Sequence, residues 1–469
     1  MKFFNEGVES MDNGAEELRK ALSAGYGTDE AQFSGGRALE VEDMEAEMIM
    51  AMELQPEDAK LLNRIKRRPA YNTVHEYNTR DSAGEFKFLS ASEGGTATES
   101  DQDIKRRTVE IKYLQTLRGV TDQMMAARTY ESALASEKMA GTMTIVNAAE
   151  YRLFHGDADV IPTDFDGLPA IIKKATDRSQ NIVDLRGQTI GSVGRSFFDE
   201  ITTQIFQRGG NPNVLFYPPQ LAKDIQELAV SDNTRFVGNA SFKETGAAFS
   251  AVVDHFTSSV GSTVFFGTDA GADKLYQVKG AVIAEGVAGK RPASPVSVAL
   301  AAQTSVSGSQ FASADAGNYT YAVHAINKNG VSEATAAAAS VGVTSDGAIQ
   351  ITIAPSSTGL ETGYIITRSN KGGSLLMEMV KVPRAASGNT VYVDLNADLP
   401  GTAEALWLTE RKLQPIVELY QLIPLRYRQL FETDRAWKPF MIQLFAAPTI
   451  KAPHFCGLTK NISYGGGLY

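Results

Sequence analysis

One composition interrupts another in this chain, and that interruption limits its possible folds more than any single motif. From Pro292 to about Thr402 the sequence turns rich in Ala, Ser, Thr, Val and Gly. Asn318-Tyr319-Thr320-Tyr321-Ala322-Val323-His324-Ala325-Ile326 alternates along a strand, and Asn327-Lys328-Asn329-Gly330 can close it as a tight turn. Ile349, Ile351 and Ile353 alternate next, followed by Gly363-Tyr364-Ile365-Ile366-Thr367-Arg368 and Val391-Tyr392-Val393-Asp394. Successive side chains of a strand point to opposite faces, so each such run has one apolar face that a second sheet must cover. Short strands at this spacing predict a two-sheet β-sandwich of about 100 residues over 292–402. Gly286, Gly289, Pro292 and Pro295 lead into it, and Pro400-Gly401 leads out. From Leu413 a mixed style returns, with Phe440-Met441-Ile442-Gln443-Leu444-Phe445 reading as a buried strand. The sandwich is therefore expected as an insertion within another domain.

The remainder reads as α+β. Residues 1–70 form an arm of short helices: Leu18 and Leu22 share a face, Gly25 can stop that helix, and Met44, Met48 and Met52 make one stripe. Pro56, then Glu57 and Asp58, start a further helix with Leu61, Leu62 and Ile65 on its apolar side and Pro69 as its end. Helices this small, joined by links such as Phe33-Ser34-Gly35-Gly36, build no core of their own and must pack on the body or on a neighbouring subunit. Residues 71–118 predict a long hairpin with its tip at Glu93-Gly94-Gly95-Thr96-Ala97-Thr98. Its return strand carries Val109, Ile111 and Tyr113 on one face and Glu110 and Lys112 on the other. A lone hairpin is marginal in water, so this one is expected to lie on a partner. Over 130–155, Ala135, Met139, Met143, Val146, Ala149 and Leu153 predict a helix about 40 Å long, with Gly156 at its C′ position. Residues 160–285 mix helix and strand: Phe198, Ile201 and Ile205 on a helix, Val214-Leu215-Phe216-Tyr217 as an apolar strand, then a helix with Leu221, Ile225 and Leu228.

The chain has 469 residues, room for two or three domains, and at 43% hydrophobic and 21% charged it can bury real cores. No basic-then-apolar run reads as a signal peptide, and no apolar stretch approaches the roughly 20 residues of a membrane helix, so a soluble protein without a membrane partner is expected. Cys456 stands alone, which excludes an internal disulfide and a cysteine metal cluster and suits a reducing compartment. A net charge of −10 opposes general binding to a phosphate backbone, though an acidic wall can surround nucleic acid without holding it. Chemistry is hard to find. His75, His155, His255, His324 and His454 show no metal-ligand spacing, and no Gly-x-Ser-x-Gly elbow occurs. Gly286-Val287-Ala288-Gly289-Lys290 fails as a phosphate loop, because Ala284 and Arg291 stand at required positions. Gly187, Gly191 and Gly194 miss the dinucleotide pattern. Asp157, Asp159, Asp164 and Asp166 lack the glycine and glutamate of a calcium loop and read as a solvated loop. No catalytic residue, cofactor or metal is expected. The densest basic stretch is Arg64-Ile65-Lys66-Arg67-Arg68. It reads either as charge at a helix C-terminus or as a contact to acidic neighbours, and Lys105, Arg106 and Arg107 as a similar contact.

Helical arm, long hairpin, long helix, mixed domain and return to strand follow one another in an order that resembles the HK97-type fold of tailed-phage major capsid proteins. Gly35-Gly36-Arg37-Ala38-Leu39 and Arg68-Pro69-Ala70-Tyr71-Asn72-Thr73-Val74-His75-Glu76-Tyr77 are similar to the N-terminal region of the Twort-like large-phage members. The resemblance covers about 350 residues, outside the insert. It implies an N-arm (1–70), an extended loop (71–118), peripheral and axial domains (119–291 and 403–469), and a departure at 292–402, an Ig-like or fibronectin type III-like module without a disulfide. It further implies a non-enzymatic subunit that self-assembles as hexamers and pentamers into an icosahedral shell. That shell encloses double-stranded DNA without sequence-specific binding, is built in the host cytoplasm with portal and scaffold proteins, and carries the sandwich outside. Candidate subunit-interface residues are Arg64, Lys66, Arg67, Arg68, Phe86, Lys87, Phe88, Lys105, Arg106 and Arg107. Some family members crosslink a lysine to an asparagine; Lys87 lies in the loop, but no crosslink is expected from it. The alternatives are an adhesin whose sandwich binds carbohydrate, and a nanocompartment shell of the same fold around an enzyme.

Overall fold

The computed structural model describes residues 59–84, 89–96, 99–127, 132–175, 181–231, 255–267, 270–287, 289–337, 339–411, 415–432 and 436–468. Most of the arm, together with Phe86, Lys87 and Phe88, lies outside the described residues.

The body is organised around one helix, Ala133–His155. At 23 residues it is about 35 Å long. One flank rests on a four-stranded sheet ordered Lys66–Pro69, Val417–Gln429, Trp437–Ile450, Lys112–Thr121. Ile145 and Ala149 share a core there with Leu114, Ile442 and Leu444. The predicted stripe is buried at Met143, Ala149 and Leu153, while its first members, Ala135 and Met139, are exposed. Gly156 follows the helix for another reason than a left-handed turn. A Cβ there would meet the Phe165 and Arg152 carbonyl oxygens at 2.4 and 2.5 Å.

The second sheet runs Ile182–Asp184, Gly457–Ile462, Ala403–Leu408, Val214–Tyr217, Thr263–Phe265, His255–Thr257, with Gly271–Ala272 also paired to Val214–Tyr217. Its central strands are buried on both faces, which is why Val214-Leu215-Phe216-Tyr217 reads as an unbroken apolar run. Val214, Phe216, Leu406 and Leu408 face the core of the long helix. Leu215, Tyr217, Ala405 and Trp407 face the helix Ser196–Gln207 through Phe197, Phe198, Ile201 and Ile205.

Between Val298 and Asp394 the chain leaves this sheet and builds two larger sheets beside the small pair Gly317–Tyr319 and Val341–Val343. One is ordered Glu285–Gly286, Gly330–Val331, Tyr321–Asn327, Gly363–Arg368, Met377–Pro383; the other Val298–Gln303, Ala348–Ile353, Thr390–Asp394. Tyr321, Val323 and Ala325 meet Ile349, Ile351 and Ile353 in one closed core. The strand Glu285–Gly286 precedes Pro292 yet belongs to the first of these sheets, because Gly286 and Gly330 pair so closely that neither tolerates a Cβ. The outer side of that sheet is also covered: Ile326, Val331 and Ile365 pack on Val160 of the body. Arg368, 0% exposed, pairs with Asp394 at 2.6 Å, and Tyr321 donates its hydroxyl to the same carboxylate at 2.7 Å. Truncating one partner of a buried pair strands the other charge. Arg368→Ala should therefore cost about 3–5 kcal/mol, read as a lowered transition in calorimetry of the full chain.

Candidate subunit interface

The hairpin leaves the body as Val74–Ser82 and returns as Asp103–Glu110, with His75 opposite Val109 and Thr79 opposite Lys105. It is shorter than the 71–118 segment suggests. Ile111, 3% exposed, breaks the return strand, and Lys112–Thr121, with Tyr113, joins the body sheet against Trp437–Ile450. Both hairpin strands alternate between exposed and half-buried residues, so the excursion has no closed core of its own. Its root is fixed where Ala70, Ile111, Tyr420 and Ala447 cluster and the His75 ring lies 3.8 Å from that of Tyr420.

Charge ties the two strands together. Arg106 pairs with Glu76. Arg107 reaches Asp81 at 3.3 Å and Thr79 Oγ1 at 3.1 Å, and Lys105 lies 3.5 Å from Asp81. Burial works to raise the Asp81 carboxyl, but the Thr79 hydroxyl and the Arg107 and Lys105 charges outweigh it and hold the group below its usual range. Lys105, Arg106 and Arg107 thus stiffen the hairpin itself.

The basic run is brought to the same side of the molecule by a strand, not a helix end. The helix Lys60–Arg64 stops at Ile65, and Lys66–Pro69 pairs in parallel with Val417–Gln429. The reading of this run as charge at a helix C-terminus, with Pro69 as the stop, is corrected accordingly: Ile65 already adopts an extended backbone. Arg64 grips Glu410 through Nε at 2.5 Å and Nη2 at 3.0 Å, and Arg67 donates to the Leu62 carbonyl. Arg68 Nε sits 2.5 Å from Oε1 of Glu418, a coulombic contact whose angle leaves that oxygen without an aligned donor. Glu418, 0% exposed, also takes Lys451 at 2.6 Å and the Tyr420 hydroxyl at 3.0 Å. Lys66 is exposed.

The aspartate cluster is filled from within. Lys174 Nζ lies 2.6, 2.8 and 2.7 Å from Asp157, Asp159 and Asp166, and Arg152 bonds Asp164 at 2.9 Å. An ammonium occupies the place a cation would take, and among the described residues no group of three His, Cys, Asp or Glu is disposed to hold a metal. His155 serves packing: its Nε2 accepts from the Gln277 N–H at 2.9 Å, and burial holds its pKa down to about 3. Burial pushes the Cys456 thiol up to about 12, which suppresses its nucleophilic form. The sequence reading missed Glu150, Glu410 and Glu418. Glu150 had a signal, since it lies on the apolar stripe of Met143, Val146 and Phe154.

The likeness to known proteins gives the class, a structural protein of virus capsids. Residues 27–269 match the family described as SU10 major capsid protein, more than half of the chain, and the protein belongs to that family. It is a structural shell protein, and its fold is of the α+β class. The major capsid proteins of Staphylococcus phage S25-3 and Staphylococcus phage K are each 23% identical over 480 residues, covering 97% of this chain and 96% of theirs. Among solved structures, the capsid of a native GTA particle aligns with 93% of this chain and all of its own at 9% identity and a TM-score of 0.45. Mycobacterium phage Adephagia aligns with 90% of this chain and 94% of its own at 10% identity and a TM-score of 0.43. The adhesin alternative falls to the family match.

Two substitutions separate the roles within the basic run. Arg68→Gln leaves the enclosed Glu418 carboxylate with less compensation and should lower stability by about 1–2 kcal/mol in urea unfolding. Lys66→Gln, at an exposed position, should leave the unfolding midpoint unchanged.

Proposed function

We propose that this subunit closes, as hexamers and pentamers, an icosahedral shell around double-stranded DNA, and that its hairpin lies across the neighbouring subunit of the same ring. The observation that carries this reading is the hairpin, whose strands are long, partly exposed and, among the described residues, paired only to each other beyond Ile111. Phe86, Lys87, Phe88 and Lys66 are proposed contacts to that neighbour, and portal and scaffold proteins are proposed partners in host-cytoplasmic assembly. A non-enzymatic role agrees with the inward use of the aspartate cluster and of His155. Deleting residues 92–102 at the hairpin tip should leave a folded monomer that assembles poorly, scored by calorimetry and electron microscopy. Normal shells from that deletion would remove the interface role.

The sandwich is proposed as an Ig-like decoration on the outer surface. The chain segments that lead into and out of it meet: the Lys279 N–H donates to the Thr402 carbonyl at 3.0 Å, and Lys279 also reaches Glu404 at 3.6 Å. An insertion whose flanking segments already touch can be removed with little strain on its host. A short Gly-Ser link from Lys279 to Thr402 should give shells of normal size without surface knobs. The exposure of Val160 and Ile161 should lower the midpoint of unfolding. Loss of assembly, or density for the module on the inner wall, would contradict the outward placement.

A further inference from the structure

The helix Lys60–Arg64 joins residues 1–58 to the body and has no side-chain cap at Ala59. Its first amides are enclosed and need acceptors. Glu150, on the long helix, supplies them: Oε1 accepts from the Leu61 N–H at 2.8 Å and Oε2 from the Leu62 N–H at 2.7 Å. Glu150 and Asp273 are both 0% exposed, and their carboxyl groups lie against one another. Oδ1 of Asp273 accepts from the Leu275 N–H at 2.8 Å, whereas Oδ2 has no donor in hydrogen-bonding geometry, although the Lys60 backbone N–H also faces this carboxyl group. Lys60 is the cation that faces Asp273, and its ammonium is bonded to the Ala272 carbonyl at 2.9 Å.

Two carboxylates in contact and out of water do not both ionise, since each disfavours the charge on the other. A proton between them satisfies the orphaned Oδ2 and leaves both Glu150 oxygens free to accept from the helix. We propose that Glu150 and Asp273 share a single proton and form a proton-dependent latch, which holds the Lys60–Arg64 segment, and so the attachment of residues 1–58, to the body.

Burial, and then the charge of Asp273, push Glu150 far above the carboxylate range, to about 9; burial raises Asp273 as well. An unfolded glutamate titrates near 4.5, so between that value and about 9 the folded chain holds a proton that the unfolded chain has lost. The latch is complete at the acid end of this window and weakens as pH rises through it. Further along the same helix, buried His155 stays neutral throughout and faces Lys381 and Glu404 instead of the pair.

Amide exchange by mass spectrometry on the full-length chain tests the latch, with each rate normalised to its intrinsic value. Between about pH 6 and pH 10, protection of the Leu61 and Leu62 amides should fall roughly tenfold or more, while that of the Tyr321–Asn327 strand stays level. Asp273→Asn places a permanent N–H donor where the shared proton lies and should abolish the fall while keeping protection high. Glu150→Gln removes one acceptor, so it should lower protection at every pH and also level the profile. Protection that is level with pH in the unaltered chain, or a variant that keeps the full pH-dependent fall, would overturn the proposal. If Asp273→Asn does not fold, the unaltered chain and Glu150→Gln decide the matter alone.

Discussion

The long helix Ala133–His155 is the member on which the body depends. Leu153 and Phe154 are enclosed between the two sheets, in contact with a core that includes Phe216, Leu406 and Leu458. Each such side chain contributes about 2–3 kcal/mol by leaving water. The same helix also has to satisfy polar groups brought in by other segments. Glu150 takes up the amides of the arm helix, and Arg152 takes up Asp164 in the loop that follows. Apolar burial fixes where the helix lies, and its few polar side chains fix what is attached to it.

A second constraint is the treatment of charge. The chain is acidic, with a net charge of −10, yet its fold gathers many of its cations onto enclosed or clustered carboxylates. Lys174 bridges three aspartates, Arg68 and Lys451 compensate Glu418, and Arg368 is buried against Asp394. Where such a pair is buried, as at Arg368 and Asp394, losing one partner costs far more than the intact pair contributes.

Much of the fold was legible before any coordinates. Tyr321, Val323, Ile349 and Ile351 alternate because one face of each strand is buried, and a period of two survives in sequence. The apolar run at Val214–Tyr217 announces a strand covered on both sides. Helix spacing located the long helix but placed Met139 on its buried side, where the side chain is 40% exposed. The hairpin was read as one unit because Val109, Ile111 and Tyr113 keep the same alternation across a point where the chain changes sheets.

The sequence by itself determined the element types, the insertion of an alternating β segment between two stretches of mixed text, and the likeness to phage shell proteins. These are written in local periodicity and composition, which act over a few residues. Only the tertiary structure decided which charges meet. Arg64 finds Glu410 across 346 positions, and Leu61 finds Glu150 across 89. No periodic signal spans such separations, because the pairing is set by where the two sheets place their strands around one helix.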